Sequence, residues 1–272
     1  MFGNAPRAVW ERWCPPDELG RISLSCRAFL VEDGKSRVLV ESGVGAFFPP
    51  KYRERYGVNE EEHVLLRSLG EAGFAPEDVD VVFLSHLHFD HAGGILSAYE
   101  EGQDSRLVFP RARYVVGREA LERARSPHPR DRASFIPQLL PLLEASDRLE
   151  IVEAGQSSHP TLGERMTLRV TSGHTPGMLL PTLNGTKETA TFCADLVPGV
   201  PWVHLPITMG YDRFPERLID EKRELYSQIG VGTWLLFTHD AEVSRGRLAQ
   251  DENGRFSVVA TAPKTTAWDL DG

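Results

Sequence analysis

The chain has 272 residues, of which 41% are hydrophobic and 25% are charged, and its net charge at pH 7 is −9. This is an ordinary globular composition, and the acidic balance argues against broad contact with nucleic acid or with an anionic membrane. No apolar run approaches the roughly 20 residues of a bilayer span, and the N-terminal residues lack the apolar core of a signal peptide, so we predict a cytoplasmic protein.

The predicted strands are short segments rich in β-branched and aromatic residues. In chain order they span residues 22–33, 36–42, 79–85, 106–109, 112–117, 149–155, 166–172, 177–185, 188–195, 233–240 and 255–261. A turn at Asp33 and Gly34 joins the first two, which predicts a β-hairpin. The third, "VDVVFLS", is a continuous apolar run, and such runs are typical of buried strands.

The predicted helices follow from apolar residues at helical spacing and from proline or glycine near their ends. They span residues 60–73, 119–125, 135–145 and 215–230. Residues 1–20 are predicted to be an irregular arm. No interdomain linker is evident, so we predict a single α+β domain over residues 1–272. Its element order predicts two sheets packed face to face with helices outside, a four-layer variant of the usual layered architecture.

A cluster of metal-binding residue types follows the strand at residues 79–85, in the stretch "SHLHFDHAGG". His86 and His88 point the same way in an extended chain, and Asp90 keeps that register if the chain stays extended. His91 points elsewhere or follows a turn, and the glycines after it allow a tight bend. This loop can offer ligands to two neighbouring metal positions. Its imidazole and carboxylate groups suit zinc, iron, manganese or cobalt.

The candidate ligands within residues 86–91 cannot complete the coordination spheres of two metal ions, so further ligands should follow other strands. Three candidates have this placement. His174 lies among turn residues after one predicted strand, and Asp195 and His239 lie at the ends of two others. A ligand that repeatedly follows a strand is typical of a site built on one edge of a sheet sandwich.

The motifs "HLHFDHAGG", "SGHTPG", "CADL" and "FTHD", in this order, resemble those of the metallo-β-lactamase superfamily. The resemblance runs from about residue 22 to about residue 261. It implies the four-layer αββα sandwich fold and two divalent metal ions, with zinc expected first and iron or manganese as alternatives. It further implies that one ion is bound by His86, His88 and His174, that the other is bound by Asp90, His91 and His239, and that Asp195 bridges them.

Two such ions can share a water molecule, whose pKa then falls from about 15.7 towards 7. The resulting hydroxide would attack an ester-like substrate, while one ion stabilises the oxyanion and the other holds the leaving oxygen. Asp90 is the catalytic candidate, because its carboxylate can carry the proton to the leaving group. The sequence thus predicts a dinuclear hydrolase that acts on a small ester-like molecule, such as a lactone or a thioester.

The histidine cluster is most similar to the lactonase-like branch, whose members usually carry a tyrosine shortly after the bridging aspartate. No tyrosine closely follows Asp195 in "ADLVPGVPWVHLP". Trp202, His204 and Tyr211 are the substrate-binding candidates in its place, and each is alternatively a packed loop residue. Glu41 stands where the superfamily commonly has an aspartate that supports the site, so it either does so with a longer arm or is an exposed glutamate.

Other functions stay open at this point. A glyoxalase-II-like thioesterase would share all seven ligands. A persulfide-dioxygenase-like oxidoreductase would use one iron on His86, His88 and Asp195 alone, and the apparently complete second ligand set argues against it. The full set of ligands also argues against a catalytically silent binding module. The expected partner is a small-molecule substrate, with no nucleic acid and no membrane, and a homodimer is left open.

Overall fold

The computed structural model describes the whole chain, residues 1–272. It contains helices and two mixed β-sheets, as expected for the α+β class. The chain divides into two compact units. The central unit is Ala28–Ala154, and the flanking unit combines Met1–Arg27 with Gly155–Gly272. The single domain expected over residues 1–272 stays a prediction beside this division.

The sheet of the central unit has five strands, and its spatial order follows the chain. They are β1 (Phe29–Glu32), β2 (Arg37–Val40), β3 (Val81–Phe83), β4 (Arg113–Gly117) and β5 (Leu149–Val152). β1 and β2 form the predicted antiparallel hairpin, and the remaining neighbours are parallel. β3 has parallel neighbours on both sides and is buried throughout, as its continuous apolar run predicts.

The sheet of the flanking unit has six strands, and again neighbours in the sheet are neighbours in the chain. They are β6 (Met166–Thr171), β7 (Met178–Asn184), β8 (Thr189–Phe192), β9 (Trp234–Leu236), β10 (Arg245–Gln250) and β11 (Phe256–Ala262). Only β8 and β9 pair in parallel. The C-terminal ends of β8 and β9 therefore lie at the same sheet edge as the turn between β6 and β7.

Seven α-helical segments accompany the sheets. They are α1 (Arg7–Trp10), α2 (Pro50–Tyr56), α3 (Val64–Glu71), α4 (Phe89–Ala92), α5 (Arg118–Arg125), α6 (Leu139–Ala145) and α7 (Pro215–Ile229). α7 begins with Pro215 and is followed by Gly230, whose φ is 75°, so both ends carry the residues expected there. None of the helices combines the length and apolar character needed to cross a membrane.

The core of the central unit holds the end of β3 in place. It joins Leu39 of β2, Val82 of β3 and Val116 of β4 to Leu69 of α3 and Leu143 of α6. Burial of each such side chain contributes roughly 1.5–3 kcal/mol relative to exposure. The segment that carries four predicted metal ligands leaves the sheet from this rigid position.

The first strand is shorter than predicted, because part of the segment 22–33 pairs elsewhere. The backbone N–H of Ser25 donates to the carbonyl oxygen of His239 at 3.2 Å, and that of Arg27 donates to Thr238 at 3.1 Å. These hydrogen bonds lie within the flanking unit, whereas β1 pairs with β2 in the central unit. A period-two apolar pattern does not reveal which strand a segment will pair with.

Other differences have equally local causes. Residues 106–109 form no strand, and only Leu107 makes a bridge, to Leu96. α6 begins at Leu139 and not at residue 135 as predicted, because Pro137 disfavours a helical conformation in the residues before it. β10, "RGRLAQ", was not predicted from its polar sequence, and it forms because β9 and β11 pair with it on either side.

Gly94→Ala is expected to destabilise the protein, because a Cβ atom there would overlap the carbonyl oxygen of Ser42. The loss should be about 1–3 kcal/mol or more, as for other overpacked sites. Gly70→Ala is the matched control, because Gly70 lies in α3 with open space around its Cα. That change should stabilise the protein by up to about 1 kcal/mol. Chemical denaturation of both variants measures the difference, and equal effects would contradict the close approach at Gly94.

Candidate active site

The predicted ligands of the central unit lie where the chain turns sharply after β3. His88 still has an extended backbone, with ψ of 154°, and the helical turn α4 begins at the next residue. Asp90 and His91 therefore lie on α4, and the extended register considered for Asp90 ends at His88. The change from extended chain to helical turn lets residues close in sequence direct their side chains differently.

The imidazole rings of this segment are crowded together inside the protein. His86 Nε2 lies 3.0 Å from His88 Nδ1, and the ring centroids of His86 and His91 are 4.1 Å apart. All three histidines are buried. The partly exposed Asp90 adds a carboxylate oxygen 4.0 Å from His91 Nε2. Nitrogen and carboxylate donors at such spacing can share a divalent cation.

The predicted ligands of the flanking unit meet at one carboxylate. The two oxygens of Asp195 face different imidazoles, Oδ2 at 3.2 Å from His174 Nε2 and Oδ1 at 3.1 Å from His239 Nε2. Burial lowers the pKa of His239, but the Asp195 carboxylate and Cys26 together raise it by more, so the net shift is well upward. A carboxylate that offers its oxygens separately can serve two partners at once.

Four of the predicted ligands follow strands, as expected from the sequence. His174, Asp195 and His239 each lie three residues beyond the last residue of β6, β8 and β9. His86 has the same spacing from the end of β3. The parallel pairing of β8 with β9 and the antiparallel pairing of β7 with β8 bring the three predicted ligands of the flanking unit to one end of the sheet.

Glu41 supports the histidine segment from a buried position directly after β2. Its Oε1 accepts a hydrogen bond from the backbone N–H of Ser85 at 2.7 Å, and its Oε2 lies 3.2 Å from His91 Nδ1. The backbone of Glu41 has φ of 69°, a left-handed conformation that aims the side chain and that a non-glycine residue adopts only when its surroundings enforce it. The alternative of an exposed glutamate is wrong.

Three other histidines also have an oxygen atom next to Nδ1. Ser85 Oγ lies 2.9 Å from Nδ1 of His86, Asp212 Oδ1 lies 3.0 Å from Nδ1 of His174, and the carbonyl oxygen of Ser25 lies 2.7 Å from Nδ1 of His239. The carboxylate and carbonyl oxygens can only accept, so they favour a proton on Nδ1 of His174 and His239 and leave the Nε2 lone pair for a metal. The Ser85 hydroxyl can also donate, so it restrains the ring of His86 without selecting its tautomer.

The donor set therefore fits divalent metal ions. Seven side chains each offer one nitrogen or carboxylate oxygen that could hold a metal ion: His86, His88, Asp90, His91, His174, Asp195 and His239. Imidazole and carboxylate are ligands that zinc, iron and manganese all accept. Both the donor types and the orientation of the rings suit such an ion.

The sequence profile of the metallo-beta-lactamase superfamily matches residues 22–253. The chain belongs to this superfamily. Among solved structures, a probable metal-dependent hydrolase from Staphylococcus aureus is similar with a TM-score of 0.82 at 23% identity, over 96% of this chain and 92% of that chain. The hydrolase AbOPH has a TM-score of 0.75 at 21% identity, over 98% and 89% of the two chains. These likenesses confirm the metallo-β-lactamase fold.

Two further relatives have more specific names. AidC, a dizinc quorum-quenching lactonase, has a TM-score of 0.64 at 21% identity, over 89% of this chain and 80% of that chain. Ribonuclease TTHA0252 from Thermus thermophilus is 30% identical over 124 residues, which are 46% of this chain and only 27% of the ribonuclease. These comparisons establish membership of the metallo-β-lactamase superfamily. The expected absence of a nucleic-acid partner stays a prediction.

In this metallo-β-lactamase-fold protein, the substrate-binding candidates differ in exposure. The side chain of Tyr211 is 65% exposed, and His204 is partly buried. Trp202 is buried, and its ring stacks on Phe2 with centroids 4.5 Å apart. The roles of all three in substrate binding stay predictions.

The segment that carries these candidates is anchored inside the flanking unit. The buried Lys222 of α7 donates from Nζ to the carbonyl oxygens of His204, at 3.0 Å, and Ile207, at 2.9 Å. Burial lowers the pKa of Lys222 to about 7, although Asp212 opposes the shift. From the N-terminal arm, Asn4 Oδ1 accepts the backbone N–H of Thr208 at 3.0 Å. The arm, predicted to be irregular, thus contributes structure here and contains the short helix α1.

Sequence reasoning missed Asp212 and the Ser25 carbonyl group as partners of predicted ligands. No strand precedes Asp212, so the strand-end argument could not find it. Its only local signal is a position three residues before Pro215, the start of α7. The Ser25 contact is made by a backbone carbonyl, which any residue carries, so the sequence held no signal for it.

Glu41→Gln is expected to weaken metal binding, because its amide nitrogen would replace one of two oxygens that face N–H donors. The loss should be about 10–100-fold in affinity, measured by competition with a chromogenic chelator. Glu32→Gln is the matched control, because Glu32 is exposed and pairs with Arg37 on the surface hairpin. Equal affinities of the two variants would contradict the supporting role of Glu41.

Proposed function

We propose that the protein holds two divalent metal ions in one centre and hydrolyses a small ester-like substrate. In this proposal His86, His88 and His174 bind one ion, and Asp90, His91 and His239 bind the other. Asp195 bridges the two ions. Zinc is the expected metal, with iron or manganese as alternatives.

The observation that carries this proposal is the orientation of Asp195, whose two oxygens face the Nε2 atoms of two different histidines. A carboxylate that bridges two ions presents its oxygens in this way. The oxygen partners on Nδ1 of four histidines add support, because they restrain the rings and leave Nε2 as the nitrogen that can bind a metal. Family membership supplies the expectation that the two sets of ligands work together.

Two bound ions would supply a water nucleophile at neutral pH and an electrostatic partner for the negative charge that develops on the substrate oxygen. The chain itself would supply the proton transfer. Asp90 is the residue for this role, because its carboxylate is partly exposed while the neighbouring histidines are buried. A carboxylate open to the substrate can receive a proton and pass it to the leaving group.

The substrate class that we propose is a lactone, a thioester or a similar ester. The dizinc lactonase AidC supports the lactone as the first substrate to test. A thioester is the second candidate, because a glyoxalase-II-like enzyme would use the same seven ligands. The ribonuclease that shares 30% identity over 124 residues makes RNA a necessary member of any substrate panel.

Elemental mass spectrometry of protein purified without chelators or added metal is expected to find two metal ions per chain. Removal of the metal with a chelator should abolish hydrolysis, and zinc should restore it, because the nucleophile depends on the ions. One iron per chain would contradict the dinuclear centre and favour the dioxygenase-like alternative. Failure to take up any metal would reject both.

Asp90→Asn is expected to keep much of the metal and to lose about 10²–10⁴-fold in turnover, because an amide cannot carry the proton. The exposed Asp104→Asn in the same unit serves as the control and should keep full turnover. Steady-state rates with the best substrate of the panel measure the effect. Full turnover in Asp90→Asn would exclude this role, and cleavage of RNA without lactone or thioester hydrolysis would exclude the proposed substrate class.

A further inference from the structure

The loop that carries His174 is held by a carboxylate of α7. Oε1 of Glu221 accepts the backbone N–H of Ser172, and Oε2 accepts the backbone N–H of Gly173, both at 2.8 Å. These are the two residues that directly precede His174. The Glu221 side chain is largely buried, and Arg217 Nε lies 2.8 Å from its Oε1. Hydrogen bonds to an ionised acceptor are stronger than those between neutral groups, so this contact restrains the loop firmly.

A second carboxylate, from the turn before α7, holds the imidazole itself. Oδ1 of Asp212 lies 3.0 Å from Nδ1 of His174, and Oδ2 accepts the backbone N–H of Met209 at 2.6 Å. Asp212 is buried. Each oxygen thus has its own partner, which fixes the carboxylate plane and with it the direction from which the imidazole is approached.

The backbone around His174 is enclosed on its other side as well. The N–H of Phe214 donates to the carbonyl oxygen of Gly173 at 2.8 Å, and the N–H of Arg213 donates to that of His174 at 3.1 Å. A Cβ atom on Gly173 would overlap the Cα atom of Leu218, so the loop lies directly against α7. Both the backbone and the ring of His174 are therefore set by residues 212–221.

We propose that Asp212 and Glu221 are positioning residues for His174. Asp212 selects the tautomer and direction of the imidazole, and Glu221 sets the backbone from which it projects. The inference rests on the proposed function, since it requires His174 to be a metal ligand. Neither residue is one of the proposed metal ligands, and each contacts the His174 imidazole or the loop that carries it, so each acts through His174.

The test compares Asp212→Asn and Glu221→Gln with matched surface controls. Asp220→Asn and Glu216→Gln change the same residue types in α7, where Asp220 is exposed and pairs with Arg223 and Glu216 is exposed in the first turn. In Asp212→Asn the amide NH₂ group replaces one carboxylate oxygen, so it faces either the Met209 N–H or the His174 imidazole in place of an acceptor. In Glu221→Gln an amide replaces one of two oxygens that face backbone N–H groups.

Full-length protein is titrated with zinc against a chromogenic chelator, and cobalt is used for visible absorption spectra. Each variant should bind one of two ions about 10–100-fold more weakly than its control. The cobalt spectrum of that site should change, because the imidazole approaches the ion from another direction. Asp212→Ala should lose more affinity than Asp212→Asn, which keeps an oxygen acceptor.

The outcomes separate the two proposals. Wild-type protein that binds no metal would overturn the proposed function. Wild-type protein that binds two ions, with variants within about threefold of their controls and with unchanged cobalt spectra, would overturn the positioning role alone. Circular dichroism of the metal-free proteins identifies a variant that does not fold. If Asp212→Asn does not fold, Glu221→Gln decides the question, because its side chain lies outside contact with the imidazole.

Discussion

The candidate site depends on one kind of contact, an oxygen atom held against the Nδ1 atom of a buried histidine. His86, His91, His174 and His239 all have such a partner. Without it a buried imidazole can choose either tautomer and can rotate, and its Nε2 lone pair has no fixed direction. With it, the donor nitrogens are aimed before any metal arrives, and less order must be imposed on binding.

The oxygen partners come from very different parts of the chain, and each needs its own structural device. Glu41, directly after β2, has a left-handed backbone conformation from which its side chain reaches His91. Asp212 reaches His174 from the turn before α7, where Met209 fixes its other oxygen. Ser25 uses a backbone carbonyl group, from a segment that pairs with the residues after β9. The predicted ligands are thus oriented by residues that bind no metal in the proposal. Their orientation therefore depends on a rigid fold that holds these partners in place.

Close approach of backbone segments is the second constraint. Gly94 lies against the carbonyl oxygen of Ser42, next to Glu41, and Gly173 lies against α7, next to His174. At both positions a side chain would force the loop of a ligand or of its partner away from its neighbour. Glycine is therefore needed for packing at these points, and the sequence motifs "HAGG" and "SGH" contain it for a reason separate from metal binding.

The sequence by itself determined the elements that have strong local signals. These are the buried strand β3, the first hairpin, helix α7 with its proline and glycine ends, and the seven residues of metal-binding type, four of which follow strands. It could not determine β10, whose polar residues pair only because two neighbours accept them, or the partner of residues 22–27. Nor could it identify Asp212 and Glu221 as partners of the His174 loop, because they lie 38 and 47 residues after His174. Local patterns report backbone preference and burial, whereas these contacts depend on which distant segments the folded chain brings together.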